Sequence, residues 1–449
     1  MEKFDVLFIG SGQAAWNAAL PLALGGKAVG IIEEGKVAGT CTNYGCDAKF
    51  VLDAPIKALE ELKRYEEVAL SPVEVSVDWA KLMRHKHNVI DPLASQVQGL
   101  LERVGVRFIF GHAEFTDSKT VAVNKDLYTA EKFVVATGQR PAQLDIPGKE
   151  FLKTSTAFLD LPELPETITF IGAGYVSMEL ASIAAASGAK VSIVEFGSQA
   201  LAGFDEEYTG KLVEKMKQEG IQFFFNQGVT AVNQIDEKIV EVKTDKDQAI
   251  QSNYVVDATG RIPNVENVGL DKACVEYDRN GIIVDEWLQT TQKNIYASGD
   301  VIHKSVPKLT PTAAFEARYI ANLFLGKSTE KIEYPLIATA VFTLPRIAEV
   351  GVSTKEAALD SEKYTIKTIE LGNSWDYKGM NEKEASMKLV FDKQGLLVGA
   401  TNYSNEAPET INGLITIMQN KLTPEEMQNV LTVFPSLDYN LPLYLGRGF

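Results

Sequence analysis

The feature that most limits how this chain can fold is a unit that occurs twice. "FDVLFIGSGQAAWNAALPLALGGKAVGIIEEG" reads as strand, tight turn, helix, strand. Apolar Val6–Ile9 runs into Gly10, Gly12 and Ala15 at G-x-G-x-x-A spacing, and a second strand ends in Glu33, twenty-one residues after Gly12. The first glycine permits the turn, the second leaves room for a pyrophosphate at the positive end of the helix, and alanine lets that helix pack closely. An acid at this distance binds ribose hydroxyls. "ETITFIGAGYVSMELASIAAASGAKVSIVEFG" repeats the pattern 162 positions later: Gly172, Gly174, Ser177 in place of the small third residue, and Glu195 twenty-one residues after Gly174. Two complete units predict an α/β protein with two Rossmann-like dinucleotide-binding domains.

Further segments fit this frame. "FVVATGQRP" and "YVVDATGRIPN" each carry an apolar strand into Ala-Thr-Gly, at Ala136-Thr137-Gly138 and at a second copy ending in Gly260. "TTQKNIYASGDV" ends its strand at Gly299-Asp300, an aspartate suited to the ribityl or pyrophosphate region of a flavin. "AGTCTNYGCDAKF" places Cys41 and Cys46 five residues apart, with Lys49 just behind, in a chain that has three cysteines. Zinc sites usually want three or four ligands, and structural disulfides are usually more numerous. Two thiols alone therefore suggest redox chemistry, provided the chain delivers electrons; the alternative is an inert packed pair. Cys274, in "LDKACVEYDRN", stands alone and is read as packing.

Taken together, these motifs resemble the flavoprotein disulfide reductases, which include glutathione reductase, dihydrolipoamide dehydrogenase and mercuric reductase. The resemblance spans essentially the whole chain. It implies that the first unit binds FAD through Gly10, Gly12, Ala15 and Glu33, with Thr40, Ala136, Thr137, Gly138 and Asp300 also on the cofactor, and that "LTPTAAFEA" begins the helix covering its ring. It implies that the second unit binds NADH or NADPH through Gly172, Gly174, Tyr175, Glu195 and Gly260, Tyr175 being the aromatic residue that covers the flavin. Cys46 would be the flavin-proximal sulfur, Cys41 the interchange thiol, and Lys49 the lysine near the flavin, paired with Glu179. A thiolate near a helix N-terminus has a depressed pKa. By resemblance the FAD domain covers 1–150 and 260–330, the NAD(P) domain 151–259, and a C-terminal α+β dimerisation domain 331–449, so a homodimer is expected. The strand of the second unit ends "VEFGSQALAG", with Glu195 and no nearby Lys or Arg, so NADH is expected over NADPH.

Two departures from the family pattern bear on the acceptor. After Cys46 stand Asp47 and Ala48 in place of the usual Val-Pro, an acid that would disfavour the thiolate. Thiol-reducing members end in H-P-T-x-x-E; here "VFPSLDYN" has Phe434 for the histidine and Tyr439 for the glutamate, and none of the four histidines lies in the C-terminal domain. Such an acid–base group is worth about 10²–10⁴ in rate. The expectation is therefore electron flow from NADH through FAD to Cys41/Cys46 and on to an unidentified small-molecule disulfide, metal or other acceptor. The alternatives are a diaphorase or quinone reductase with a non-essential disulfide, or a low-turnover NADH-binding flavoprotein. A net charge of −16 without a basic block leaves no nucleic-acid partner expected. No apolar run approaches the roughly 18 residues a membrane span needs. The opening "MEKFDVLFIG" enters a strand directly, and a cytoplasmic location is expected.

Overall fold

The protein, described over residues 2–446 by a computed structural model, is a mixed α/β molecule built on three main sheets. In the first sheet the strand Glu2–Ile9 runs parallel to Val29–Glu33 on one side and to Asp126–Val135 on the other, with Arg107–Phe110 beyond the former. The late strand Ile295–Ala297 joins in parallel alongside Asp126–Val135. Parallel strands are covered on both faces and so need continuous apolar runs; Val6, Leu7, Phe8 and Ile9 are all buried. The helix Gln13–Leu24 lies on this sheet through Ala14, Ala15, Ala18 and Ala19, side chains small enough to admit the helix Thr310–Phe324 beside it. Leu22, fully buried, contributes about 1.5–3 kcal/mol by leaving water.

Register fixes what meets at the sheet's carboxyl edge. Ile9 pairs with Ile32 and with Val135, and Val135 pairs with Ala297. Gly10, Glu33, Ala136 and Ser298 therefore leave the sheet side by side. The second sheet repeats this: Ile171 pairs with Val194 and with Asp257, which sets Gly172, Glu195 and Ala258 abreast. Its strands are Gln222–Phe224, Lys190–Val194, Thr167–Ile171 and Tyr254–Asp257, all parallel. Two short antiparallel strands, Gln139–Pro141 and Arg261–Pro263, connect the two units.

The third sheet is antiparallel, in the order Thr339–Val341, Arg346–Gly351, Leu397–Ser404, Ser386–Asp392, Tyr364–Ile369. The helix Ala407–Gln419 covers one face through Ile411, Leu414, Ile417 and Met418. Among the described residues no helix is long and apolar enough to cross a membrane.

The cysteine helix, Cys46–Glu66, ties these parts together. Lys49, Asp53, Lys57, Glu60 and Arg64 recur at three- and four-residue spacing, which puts them on one face. Their signs alternate, and each pairs with a residue distant in sequence: Glu179, Arg346, Glu406, Lys215 and Glu382, at 2.5–2.9 Å.

Candidate functional site

The loops at the first sheet's carboxyl edge enclose a cleft of about 730 Å³. Gly10, Gly12, Glu33, Thr40, Cys41, Ala136, Thr137, Gly138 and Asp300 line it, while Ala15 is buried behind it in the helix. Gly10 holds φ of +99°, and a Cβ there would stand 2.5 Å from the Ala136 carbonyl oxygen. Gly172 holds φ of +93°, and its Cβ would stand 2.9 Å from the Ala258 carbonyl oxygen. The Ala-Thr-Gly segments therefore lie against the first glycine of each fingerprint, which accounts for their joint repetition.

The two acids also do the same thing in each unit. Glu33 accepts from the Ser11 N–H at 3.0 Å and the Gly35 N–H at 2.7 Å. Glu195 accepts from the Ala173 N–H and the Gly197 N–H, both at 2.6 Å. Neither fingerprint helix, Gln13–Leu24 or Tyr175–Ala186, has a side-chain cap, so the first N–H groups are left to an anion. An FAD-sized dinucleotide fits the first cleft: a backbone turn for the pyrophosphate, a carboxylate for ribose, and Asp300 opposite.

The cysteines stand at one end of this cleft. Cys41 lies in the short helix Gly39–Tyr44, and Cys46 is the first residue of the cysteine helix after a break at Gly45. The Cys46 sulfur is 3.6 Å from the Thr310 hydroxyl, itself at the start of the helix Thr310–Phe324. Two helix N-termini thus meet at Cys46, where their partial positive charge favours an anion. The Cys46 thiol is lowered to about 6, first by a hydrogen bond from Cys41, against burial, and further by Thr310 and the Lys49 cation. Asp47 opposes this as the smallest contribution, and its own carboxyl is raised by burial. Cys41 is correspondingly pushed up by its bond to Cys46 and by burial. The surroundings thus favour the anion at Cys46 over Cys41.

Lys49 Nζ donates to Glu179 Oε2 at 2.8 Å, and the other carboxylate oxygen accepts from the Phe342 N–H at 2.8 Å. Burial raises the Glu179 pKa, and the Lys49 cation opposes that rise. The Lys49 ammonium also sits 4.1 Å from the Phe342 ring centroid. Tyr175, half-exposed, has its hydroxyl raised by burial, with the Arg261 cation acting in the other direction. Gly174 caps the second fingerprint helix, and Gly260 continues its crossing strand with φ of +149°.

Sequence reasoning missed Ser11, Thr310, Asp53, Phe342 and Arg346. Thr310 lies inside the segment "LTPTAAFEA" expected to begin the helix over the flavin ring, whereas Phe342 and Arg346 arrive from a sheet some 300 residues downstream of the cysteines. Cys274 departs from its expected role in packing: it is exposed, at a left-handed φ of +54° after a turn. Phe434 is exposed and packs edge-on to Tyr439 at 4.7 Å, with Trp375 at 5.9 Å. Among the described residues no three metal-ligating side chains gather.

Residues 4–317 match the pyridine nucleotide-disulphide oxidoreductase family, and residues 337–442 match its dimerisation domain. The chain is 31% identical to a mercuric reductase of Staphylococcus aureus, over 98% of this chain and 81% of that protein. It is 31% identical to a glutathione reductase of Burkholderia cepacia, over 97% and 98%, and 28% identical to a dihydrolipoyl dehydrogenase of Geobacillus stearothermophilus, over 96% and 93%. In fold it is similar to the HOCl-induced flavoprotein disulfide reductase RclA of Escherichia coli, with a TM-score of 0.89 at 24% identity, covering 98% of this chain and 99% of that one. Motifs, geometry and kinship agree: this chain belongs to the class I flavoprotein (pyridine nucleotide) disulphide oxidoreductases and is an FAD- and NAD(P)H-dependent oxidoreductase.

Proposed function

We propose that the protein passes electrons from NADH to a disulfide formed by Cys41 and Cys46, and from the resulting dithiol to a small-molecule acceptor that does not depend on a histidine acid. The observation that carries this reading is Cys46, at the meeting of two helix N-termini with Thr310 and Lys49 beside it, surroundings that favour its thiolate. FAD, when bound, would take hydride from nicotinamide and return the electron pair to the disulfide. Gly10, Gly12, Ala15, Glu33, Thr40, Ala136, Thr137, Gly138 and Asp300 would hold it. Lys49 and Glu179 would fix the charge beside its ring, and Tyr175 would screen the nicotinamide side. Gly172, Gly174, Glu195 and Gly260 would bind NADH; with Glu195 at the ribose and an aromatic residue, Phe196, next in line, a 2′-phosphate finds no cation there. The dimerisation-domain match supports a homodimer, and each subunit would divide into 1–150 with 260–330, 151–259, and 331–449.

The Phe434–Tyr439–Trp375 cluster favours acceptors that leave without a proton. An RclA mutant was solved as a Cu(II) complex, which supports a thiophilic metal ion as one class to try. Joining the two sulfurs of the Cys41/Cys46 dithiol would release two electrons, reducing two Cu(II) to two Cu(I), and pass the thiol protons to solvent. An anaerobic NADH titration tests the relay. Uptake of about four electrons per subunit means a flavin joined to a disulfide, each a two-electron couple; about two would remove the cysteines from the reaction and leave a diaphorase.

A further inference from the structure

Lys49 has a second carboxylate within reach. Asp53 is four residues on, along the same face of the cysteine helix, a spacing that brings side chains within reach of each other. It does not take Lys49. Its Oδ2 instead accepts from Arg346 Nη2 at 2.7 Å, with both side chains about 95% buried. Lys49 is left to Glu179, on a different element.

The pairing needs a reason, because a buried ion pair is a poor source of stability. Apolar residues of similar size commonly serve as well, whereas deleting one partner leaves an uncompensated charge. The Asp53 carboxyl is raised by burial, with Arg346 foremost and then Lys49 pulling the other way, so both cations are felt at the same acid. Arg346 holds Asp53 through one nitrogen, and its Nε is buried without a partner. Both cations lie over the Phe342 ring, the Lys49 ammonium 4.1 Å and the Arg346 guanidinium 5.2 Å from its centroid. Two acids thus meet two cations that share one ring, and only one of the two possible pairings leaves Lys49 on Glu179.

We propose that Arg346 is a positioning residue: by occupying Asp53 it stops that acid from capturing Lys49, and so keeps the Lys49 ammonium on Glu179 at the cysteine end of the site. Without Arg346, Asp53 is buried and unpaired; of the cations on its own helix Lys49 acts on it more strongly than Lys57, which Glu406 already holds at 2.5 Å. The inference rests on the reading of Lys49 and Glu179 given above.

The test compares Arg346→Gln with the double variant Asp53→Asn/Arg346→Gln. One readout is the pH profile of Cys46 alkylation in the reduced protein stripped of flavin, with Cys41 replaced by serine. The other is the rate of flavin reduction by NADH in the reconstituted enzyme. In Arg346→Gln the alkylation midpoint moves to higher pH as Lys49 withdraws, and flavin reduction slows by about ten- to a hundredfold, the scale of a misplaced active-site group. In the double variant both return towards the parent protein, because no acid remains to draw Lys49 away. A double variant as impaired as Arg346→Gln, or an Arg346→Gln protein with both readouts unchanged, overturns the proposal. Should Arg346→Gln not fold, Arg346→Lys, which keeps the charge, must keep both readouts and the double variant must still recover them; failure of either overturns it. Lys49→Ala separates the two levels of inference. If it leaves both readouts intact, the site reading falls and the lock with it; if it impairs both while Arg346→Gln does not, the lock alone falls.

Discussion

The two dinucleotide units share a frame and differ in what closes over it. In each, a glycine at positive φ abuts the carbonyl of an Ala-Thr-Gly segment, and the acid at the end of the second strand accepts two backbone N–H groups around the turn. The first unit is then walled in by Asp300, by the start of the helix Thr310–Phe324 and by Cys41. The second keeps Tyr175 at 48% and Phe196 at 79% exposure beside its fingerprint. A walled cleft suits a group that stays, and an open one suits a group that comes and goes. The same local chemistry thus sits in one walled and one open setting, and distant segments decide between them.

That contrast can be broken most severely at the glycines. Gly10→Ala drives a methyl into the Ala136 carbonyl, and Gly172→Ala does the same at Ala258. Each adds about 1–3 kcal/mol of backbone strain before the clash is counted. The first should yield protein without bound flavin, seen as loss of the visible spectrum on purification; the second should keep the flavin and lose NADH affinity. Equal flavin loss from both would mean that the units are not separate sites.

A smaller but sharper effect is expected at the cysteines. Cys41→Ser should halve the NADH electron uptake and abolish reduction of disulfides or metal ions while leaving dye reduction. Unaltered disulfide turnover would place the chemistry elsewhere. Without flavin, the ultraviolet thiolate absorbance of the reduced protein should appear as pH rises through a midpoint well below the ordinary thiol value, and vanish below it. Cys46→Ser should remove that step; a midpoint near the ordinary thiol value would deny the Cys41 hydrogen bond, Thr310 and Lys49 their combined effect.

Smallest is the expected change in cofactor choice. Glu195→Ala removes the carboxylate that would repel a 2′-phosphate and should raise the NADPH/NADH ratio of kcat/KM by about tenfold, with flavin content unchanged. The matching change at Glu33 should instead loosen FAD, and a shift in nicotinamide preference from that variant would blur the distinction between the units.

Much of the frame was legible because it is local. Gly10, Gly12, Glu33 and their counterparts lie within about 25 residues of each other, so turn, helix and acid appear as spacing. Asp300 was legible through its strand-Gly-Asp ending. What the spacing could not reveal is convergence. Asp53 reads as one more polar residue on an amphipathic helix, and Arg346 as a strand terminus after Pro345; only tertiary packing puts them 2.7 Å apart. Thr310 likewise reaches Cys46 across 264 residues. Cys274 was misread because a lone cysteine in a mixed segment looks like core, while the left-handed turn that exposes it leaves no clear pattern.

The charged face of the cysteine helix also bears on how that element responds to ionic strength. Its pairs are not equally sheltered: Asp53–Arg346 and Arg64–Glu382 are largely buried, whereas Lys57–Glu406 and Glu60–Lys215 are more open to water. Dissolved ions screen open pairs far more than buried ones. The sheltered pairs flank the open ones, and Pro55, between them, already deprives the helix of one backbone bond. Rising salt should therefore hasten amide exchange first around residues 57–60 while the segment behind Cys46 stays protected, giving a helix that softens in its middle and keeps its sulfur end still.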